Sequence, residues 1–168
     1  GCFLSADLNF PDFSSTAGLT LVGLAAQSGT VLLVTPDQLT ATGAAWGTTP
    51  PNVLGGFDTT FQFRVQWVSG GGADGFAFVV QAAGVNAIGA NGSALGYGGT
   101  TNTQIRRSLA VEFDCYDAGL QGDPSPNHIS VHARLTNQPL EYEVNSIGSS
   151  TNVPLLKDGM IHTARITY

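Results

Sequence analysis

AVEFDCYDAGLQGDPSPNHISVH, residues 110–132, carries most of the chain's concentrated chemistry. Glu112 and Asp114 stand two apart in an apolar run. On an extended strand their side chains therefore leave one face with Ala110, while Leu109, Val111 and Phe113 leave the other. Side chains two apart on one strand face are rooted roughly 6.5–7 Å from each other, near enough for two carboxylates to converge on one cation. A short polar loop with Asp117 and Asp123 follows, and His128 opens the next apolar run, with Ser130 and His132 on its face. A strand, a polar loop and a returning strand make an antiparallel hairpin. Carboxylates with an imidazole suit a borderline cation such as Mn2+ or Zn2+. Loop carboxylates with backbone carbonyls suit Ca2+, which takes about 6–8 oxygen ligands. Spacing alone leaves open the alternative of solvated charges beside a turn.

Working outward, the chain alternates with a period of two. Residues 57–68 give the clearest pattern: Phe57, Thr59, Phe61, Phe63, Val65 and Trp67 on one face, Thr60, Gln62, Arg64 and Gln66 on the other. Residues 76–81 are apolar without alternation, which predicts a strand buried on both faces. Further strands are predicted at residues 19–24, 30–35, 39–46, 108–114, 128–133, 140–144 and 161–168. Residues 82–103 form a glycine-rich loop containing GSALGYGG at 92–99, longer than a compact domain usually keeps without a function. No 3.6-residue period persists. The expected fold is all-β, one domain over residues 1–168, a sandwich of antiparallel sheets.

Composition narrows the function. The 168 residues are 42% hydrophobic and 11% charged, and Lys plus Arg total 6, too few for a nucleic-acid footprint at a net charge of −6. Four of the 12 acidic residues lie between Glu112 and Asp123, a local excess that a bound divalent cation offsets. No run is long and apolar enough for membrane insertion. No signal peptide with a basic n-region is visible, and a start at Gly1 is what a processed or trimmed product shows. Cys2 and Cys115 pair or stay free with equal plausibility.

VEFDCYDAGLQGDPSPNHISV resembles the metal loop of the legume-type (L-type) lectins, in order and in the intervals Glu112 to Asp123 and Asp123 to His128. FDTTFQFRV at 57–65 is similar to that family's long back strand, and ADGFAFVV at 73–80 to its ADG-x-AF strand. GSALGYGG is similar to its sugar-side loop, and DGMIHTARITY at 158–168 to its DG-x-x-H-x-x-x-I-x-Y strand. The resemblance implies a concanavalin-like jelly roll. It also implies a metal-dependent, non-catalytic carbohydrate-binding (lectin) module, secreted or at the cell surface, with a glycan or glycoconjugate as partner. Glu112, Asp114, Asp123 and His128 would hold a transition metal, Mn2+ first. Asp114, Asp123 and the Tyr116 carbonyl would hold Ca2+. Asp74, after a cis peptide from Ala73, would accept hydrogen bonds from sugar hydroxyls. Gly98 or Gly99 would offer an N–H, and Tyr116 would flank the sugar. Tyr97 is the stacking candidate in the same loop.

Two departures stand out. Ala118 occupies the place of an Asn that in the family bridges Ca2+ and sugar, and Asp117 beside it would supply only an oxygen. The family also continues with strands beyond the match to Tyr168, which implies a longer parent chain, a homo-oligomer or a strand-completing neighbour. Two other functions fit parts of the pattern. One is a structural or adhesive subunit of an extracellular assembly that keeps the fold without the sugar. The other is a glycoside hydrolase of the same architecture, reading residues 112–117 as E-x-D-x-x-E with Asp117 as the acid. A retaining mechanism of that kind needs carboxyls about 5–5.5 Å apart. His132 and His162 are expected to be packed or surface residues, Trp46 and Trp67 core, and Cys115 a buried small side chain.

Overall fold

The computed structural model describes residues 8–66, 72–119, 121–134 and 138–168. Among them are ten strands: β1 (Leu19–Gly23), β2 (Ala26–Ser28), β3 (Val31–Leu33), β4 (Gly43–Gly47), β5 (Asp58–Phe63), β6 (Gly75–Gln81), β7 (Ser108–Asp114), β8 (His128–Ala133), β9 (Ser146–Ser150) and β10 (His162–Thr167). The only helical pieces among the described residues are 3-10 turns at Gly92–Ala94 and Glu143–Asn145. No helix there is long and apolar enough to cross a membrane. Every pairing is antiparallel: a four-stranded sheet β6-β7-β8-β9, the pairs β1-β4 and β5-β10, and the hairpin β2-β3. The expected all-β sandwich is the fold.

The four-stranded sheet packs on both faces. On one, Phe76, Phe78, Val111, Phe113 and Ile129 meet Phe61, Phe63, Val65 and Ala164 from the β5-β10 side. Phe76 and Phe113, paired in register, stack at 4.7 Å between centroids, and Phe63 crowds Phe113 at 5.1 Å. Burying each such ring contributes about 1.5–3 kcal/mol, which makes this the main apolar layer. On the other face, Ala77, Val79 and Ala110 meet Tyr97, Ile105, Leu140 and Trp46. The run at 76–81 has no alternation because each of its faces has its own core.

The alternation of β5 is as expected. Thr59, Phe61 and Phe63 are half-buried, and Asp58, Thr60 and Gln62 are exposed. Its pairing ends at Phe63, and Trp67 and Val68 lie outside the described residues. Trp46 is half-buried, its indole N–H donating to Ala87 O at 2.8 Å, and His162 packs on Phe63. The stretch read as 39–46 pairs only from Gly43.

One predicted strand is wrong. Residues 140–142 are a turn and 143–144 begin the 3-10 segment, and the strand that pairs with β8 is β9 at Ser146–Ser150. L-E-Y-E-V looks alternating, yet Leu140 and its polar neighbour Glu141 are both buried. Strands β2 and β9, built largely from small, exposed residues, carry no alternating signal at all.

Candidate metal centre and ligand surface

Strands β7 and β8 bring the opening cluster together. Asp114 lies opposite His128 and Glu112 opposite Ser130. On the other side Asp114 faces Gly75 and Glu112 faces Ala77. One ligand atom from each of Glu112, Asp114 and His128 lies within 4.8 Å of the other two. All three are buried, His128 at 0% exposure.

The proton inventory at His128 shows what this cluster fits. Its Nδ1 is 2.8 Å from Ser125 O. A carbonyl only accepts, so Nδ1 carries a proton, and in the neutral ring Nε2 presents its lone pair. That Nε2 is buried without a hydrogen-bond partner. An orphaned buried acceptor beside two carboxylates is costly, and a cation is the ligand that satisfies all three. The carboxyls report the same tension. Burial pushes Glu112 well above the ordinary range, more than the bonds from Tyr97 and Ser130 lower it. Burial lifts Asp114 to about 7, against the Tyr116 N–H, with Asp123, Asp74 and Asp117 adding repulsion. Asp123 and Asp74 are raised as well, each mainly by burial.

The other predicted ligands are less tightly gathered. Asp123 stands outside the three-residue cluster, although its charge acts on Asp114 and Asp74, and its Oδ2 accepts the Ala118 N–H at 3.4 Å. Asp117 is exposed and accepts the Gly119 N–H at 2.7 Å. Tyr116 is 47% exposed, and its N–H donates to Asp114 Oδ1 at 2.8 Å. Lys157 Nζ donates to Gly72 O at 3.2 Å and lies 5.9 Å from the Tyr116 ring centroid, tying that ring to the approach to Asp74.

Asp74 is half-buried and follows a cis peptide from Ala73, as expected. Its carbonyl accepts the Cys115 N–H at 2.8 Å and the Cys115 thiol at 3.0 Å, so the entry to β6 is fastened to the residue that follows β7. Cys115 is buried and carries no disulfide among the described residues, and Cys2 lies outside them.

The glycine-rich loop corrects three expectations. Gly98 and Gly99 are buried and their N–H groups are already used, by Ala94 O and by Glu141 Oε2, each at 2.8 Å. Neither is free to meet a ligand. Tyr97 is 2% exposed, its hydroxyl donating to Glu112 Oε1 at 2.5 Å, so it is no stacking platform. The loop residue beside Asp74 is Gly92, where a Cβ would lie 3.8 Å from Asp74 Oδ2. Gly92 is exposed and takes φ +65°, which favours glycine. Its sequence signal was its place as first glycine of GSALGYGG, at the start of the 3-10 turn.

The same geometry gives the hydrolase no support. Glu112, its required nucleophile, is 1% exposed beneath Tyr97, Ser130 and His132.

The chain that carries this buried Glu-Asp-His cluster, the half-buried Asp74 and the Gly92 turn matches a known family over most of its length. The model of the legume lectin domain fits residues 5–168, and the chain belongs to that family. Lectin I-B4 from Griffonia simplicifolia, in a metal-free form, superposes with a TM-score of 0.70 at 24% identity, over 95% of this chain and 72% of that one. The lectin from Bauhinia forficata, in complex with GalNAc, gives a TM-score of 0.76 at 24% identity, over 96% of this chain and 71% of that one. Peanut lectin with a nine-residue peptide gives 0.64 at 22% identity, with 90% of this chain and 65% of that chain covered.

Proposed function

We propose that this chain is a metal-dependent, non-catalytic carbohydrate-binding module, secreted or displayed at the cell surface. The observation that carries the reading is the unpartnered His128 Nε2 inside the Glu112–Asp114 cluster, within reach of the Asp74 charge that acts on Asp114. Family membership supports a glycan as the ligand class, and the Bauhinia forficata relative was solved with GalNAc. Glu112, Asp114, Asp123 and His128 would hold the transition metal, with Mn2+ suited to the mixed oxygen and imidazole set. Asp114, Asp123, the Tyr116 carbonyl and Asp117 would hold Ca2+, a hard cation that prefers oxygen. The ions would supply the positive charge that lets four repelling carboxyls stay ionised.

This chain's own groups then do the recognition. Asp74 accepts from sugar hydroxyls, and ionised carboxylates make such bonds stronger than neutral ones. The Gly92 turn brings backbone close without a side chain in the way. Tyr116 offers an exposed ring at the flank. Ala118 brings neither an oxygen nor an amide N–H from its side chain, so the sugar is held chiefly by Asp74 and the Gly92 turn.

The test is a glycan array read before and after complete chelation with EDTA, with Mn2+ and Ca2+ restored in a third arm. Loss on chelation and return on reloading is the expected result. Binding that persists without metal refutes the mechanism.

A second reading, a structural or adhesive subunit in an extracellular assembly, is favoured by one specific feature. Ile147 on β9 is 56% exposed beside a cleft of about 500 Å3 lined by Ile129, Val131 and Ile147, an apolar surface suited to a neighbouring chain. Sedimentation velocity checks it: a concentration-dependent oligomer lost in Ile147→Asp favours this reading, and a monomer at all concentrations opposes it.

A further inference from the structure

Tyr97 and Glu141 do work that the metal and glycan roles above do not assign. The loop at 89–99 is closed on itself by backbone bonds from Gly89 N to Gly96 O, Gly96 N to Ala90 O and Ala90 N to Gly98 O. It is fastened outward at three points. The Tyr97 hydroxyl donates to Glu112 Oε1, the Gly99 N–H donates to Glu141 Oε2, and Ser93 Oγ accepts from Gln121 Nε2 at 2.8 Å. The partners are themselves joined. His132 bonds Leu140 O through Nδ1 at 3.0 Å and approaches Glu112 Oε2 through Nε2 at 3.1 Å. The Glu143 N–H donates to Gln121 O at 2.9 Å. A closed ring of contacts thus runs through Glu112, Tyr97, the glycine-rich loop, Glu141, Leu140 and His132, with Gln121 joining the metal loop to both sides.

The fit is tight where it matters. A Cβ on Gly98 would lie 2.2 Å from Glu141 Oε2, and one on Gly89 would lie 2.5 Å from the Tyr97 carbonyl carbon. Glu141 is 6% exposed and Tyr97 2%, so neither has water as a substitute partner. Gly92, on the same short loop, is the residue beside Asp74.

We infer that Tyr97 and Glu141 are positioning residues that lock the glycine-rich loop to Glu112, so that the metal centre sets where the Gly92 turn stands against Asp74. This rests on the reading of Glu112 as a metal ligand. The phenol fixes one carboxylate oxygen of a ligand, and the same residue's backbone carries the loop, since Ile105 N–H donates to Tyr97 O at 2.8 Å. Groups that orient a metal ligand from behind typically change metal affinity by about 10–100-fold when removed.

The experiment titrates Mn2+ by calorimetry into chelator-stripped wild type, Tyr97→Phe, Glu141→Gln and Glu141→Ala. It also follows hydrogen exchange of the amides at 89–99 with and without Mn2+. Tyr97→Phe keeps the buried ring and deletes one hydroxyl. It is expected to weaken Mn2+ about ten-fold and to abolish the Mn2+-induced protection of the loop expected in wild type. Glu141→Gln retains an oxygen for the Gly99 N–H and keeps the protection; Glu141→Ala loses it. Wild-type Mn2+ affinity and wild-type loop protection in Tyr97→Phe overturn the assignment, as does equal behaviour of the two Glu141 variants. The wild-type arm separates the two claims. A wild type that takes up no Mn2+ overturns the metal centre itself and this assignment with it. A wild type that binds Mn2+ and protects its loop here, yet binds nothing on the glycan array above, refutes only the sugar.

Discussion

Asp114→Asn in the metal-free protein is the most revealing single substitution, because it is expected to stabilise. Burial and three neighbouring carboxylates lift Asp114 from the ordinary 3.8 to about 7. Between those values the folded state holds a proton that the unfolded chain releases. A raised folded pKa therefore gives stability that is complete at the acid end and lost as pH climbs through the window. From pH 4.5 to 7.5 the change is a little over two pKa units' worth, or about 3 kcal/mol at about 1.4 kcal/mol per unit. For a domain of this size that is roughly 6–12 °C in melting midpoint. His132 works in the opposite direction, since burial lowers its pKa and its penalty fades as pH rises. Asp12, Asp58 and Asp158 are lowered below the ordinary value and titrate beneath the window. Glu112, Asp74 and Asp123 are raised like Asp114 and lose stability in the same direction, Glu112 partly through the Asp114 charge. The comparison that reads Asp114 and its neighbours is thus wild type minus Asp114→Asn, chelated, melted at several pH values by circular dichroism. The variant should gain about 3 kcal/mol on wild type between pH 4.5 and 7.5. Saturating Mn2+ at pH 7.5 should cancel most of that gain, since ligand at a hundred times Kd adds about 2.7 kcal/mol to the protein that binds it. A wild type that holds its rank over the variant across the whole range in EDTA would refute the placement of an uncompensated buried carboxyl here.

Other consequences are simpler to read. His128→Ala removes the orphaned nitrogen and should weaken Mn2+ by about a hundred-fold or more in a calorimetric titration, with a smaller effect on Ca2+, whose ligands are oxygens. Asp74→Ala deletes the charged acceptor on the ligand surface. Glycan affinity should fall by about 1.5–3 kcal/mol on an array-selected glycan, with Mn2+ affinity retained. Phe113→Ala empties the centre of the aromatic layer, where Phe61, Phe63 and Phe76 all contact it, and should cost about 3–5 kcal/mol in urea unfolding. Gly75→Ala places a Cβ 2.2 Å from Phe113 O at a φ of +148°, so it should lower the melting midpoint and disturb both Asp74 and Asp114.

What the sequence made legible was whatever local pattern controls. The alternation of β5, the two-sided burial of β6, and the shared face of Glu112 and Asp114 follow from strand geometry alone. The return of His128 opposite Asp114 follows from the hairpin. The misreadings share one cause, partners distant in the chain. Tyr97 looks like an exposed aromatic in a flexible glycine loop until Glu112, fifteen residues on, is seen to accept its hydroxyl. Glu141 looks like the solvent face of a strand, yet the Gly99 N–H, 42 residues away, gives it a reason to be buried. Gly92 rather than Gly98 or Gly99 meets Asp74 because the loop closes on itself, which composition does not encode. Strand β9 exists because β8 offers it a pairing edge, and its small polar residues announce nothing.

Whether the metal centre governs the glycan surface is decided by calorimetry of one array-selected glycan in three states of the same preparation. The states are metal-loaded, chelated and reloaded with Mn2+ plus Ca2+. A measurable binding isotherm is expected in the first, none in the second and the original affinity in the third. An unchanged isotherm in the fully chelated protein would contradict it.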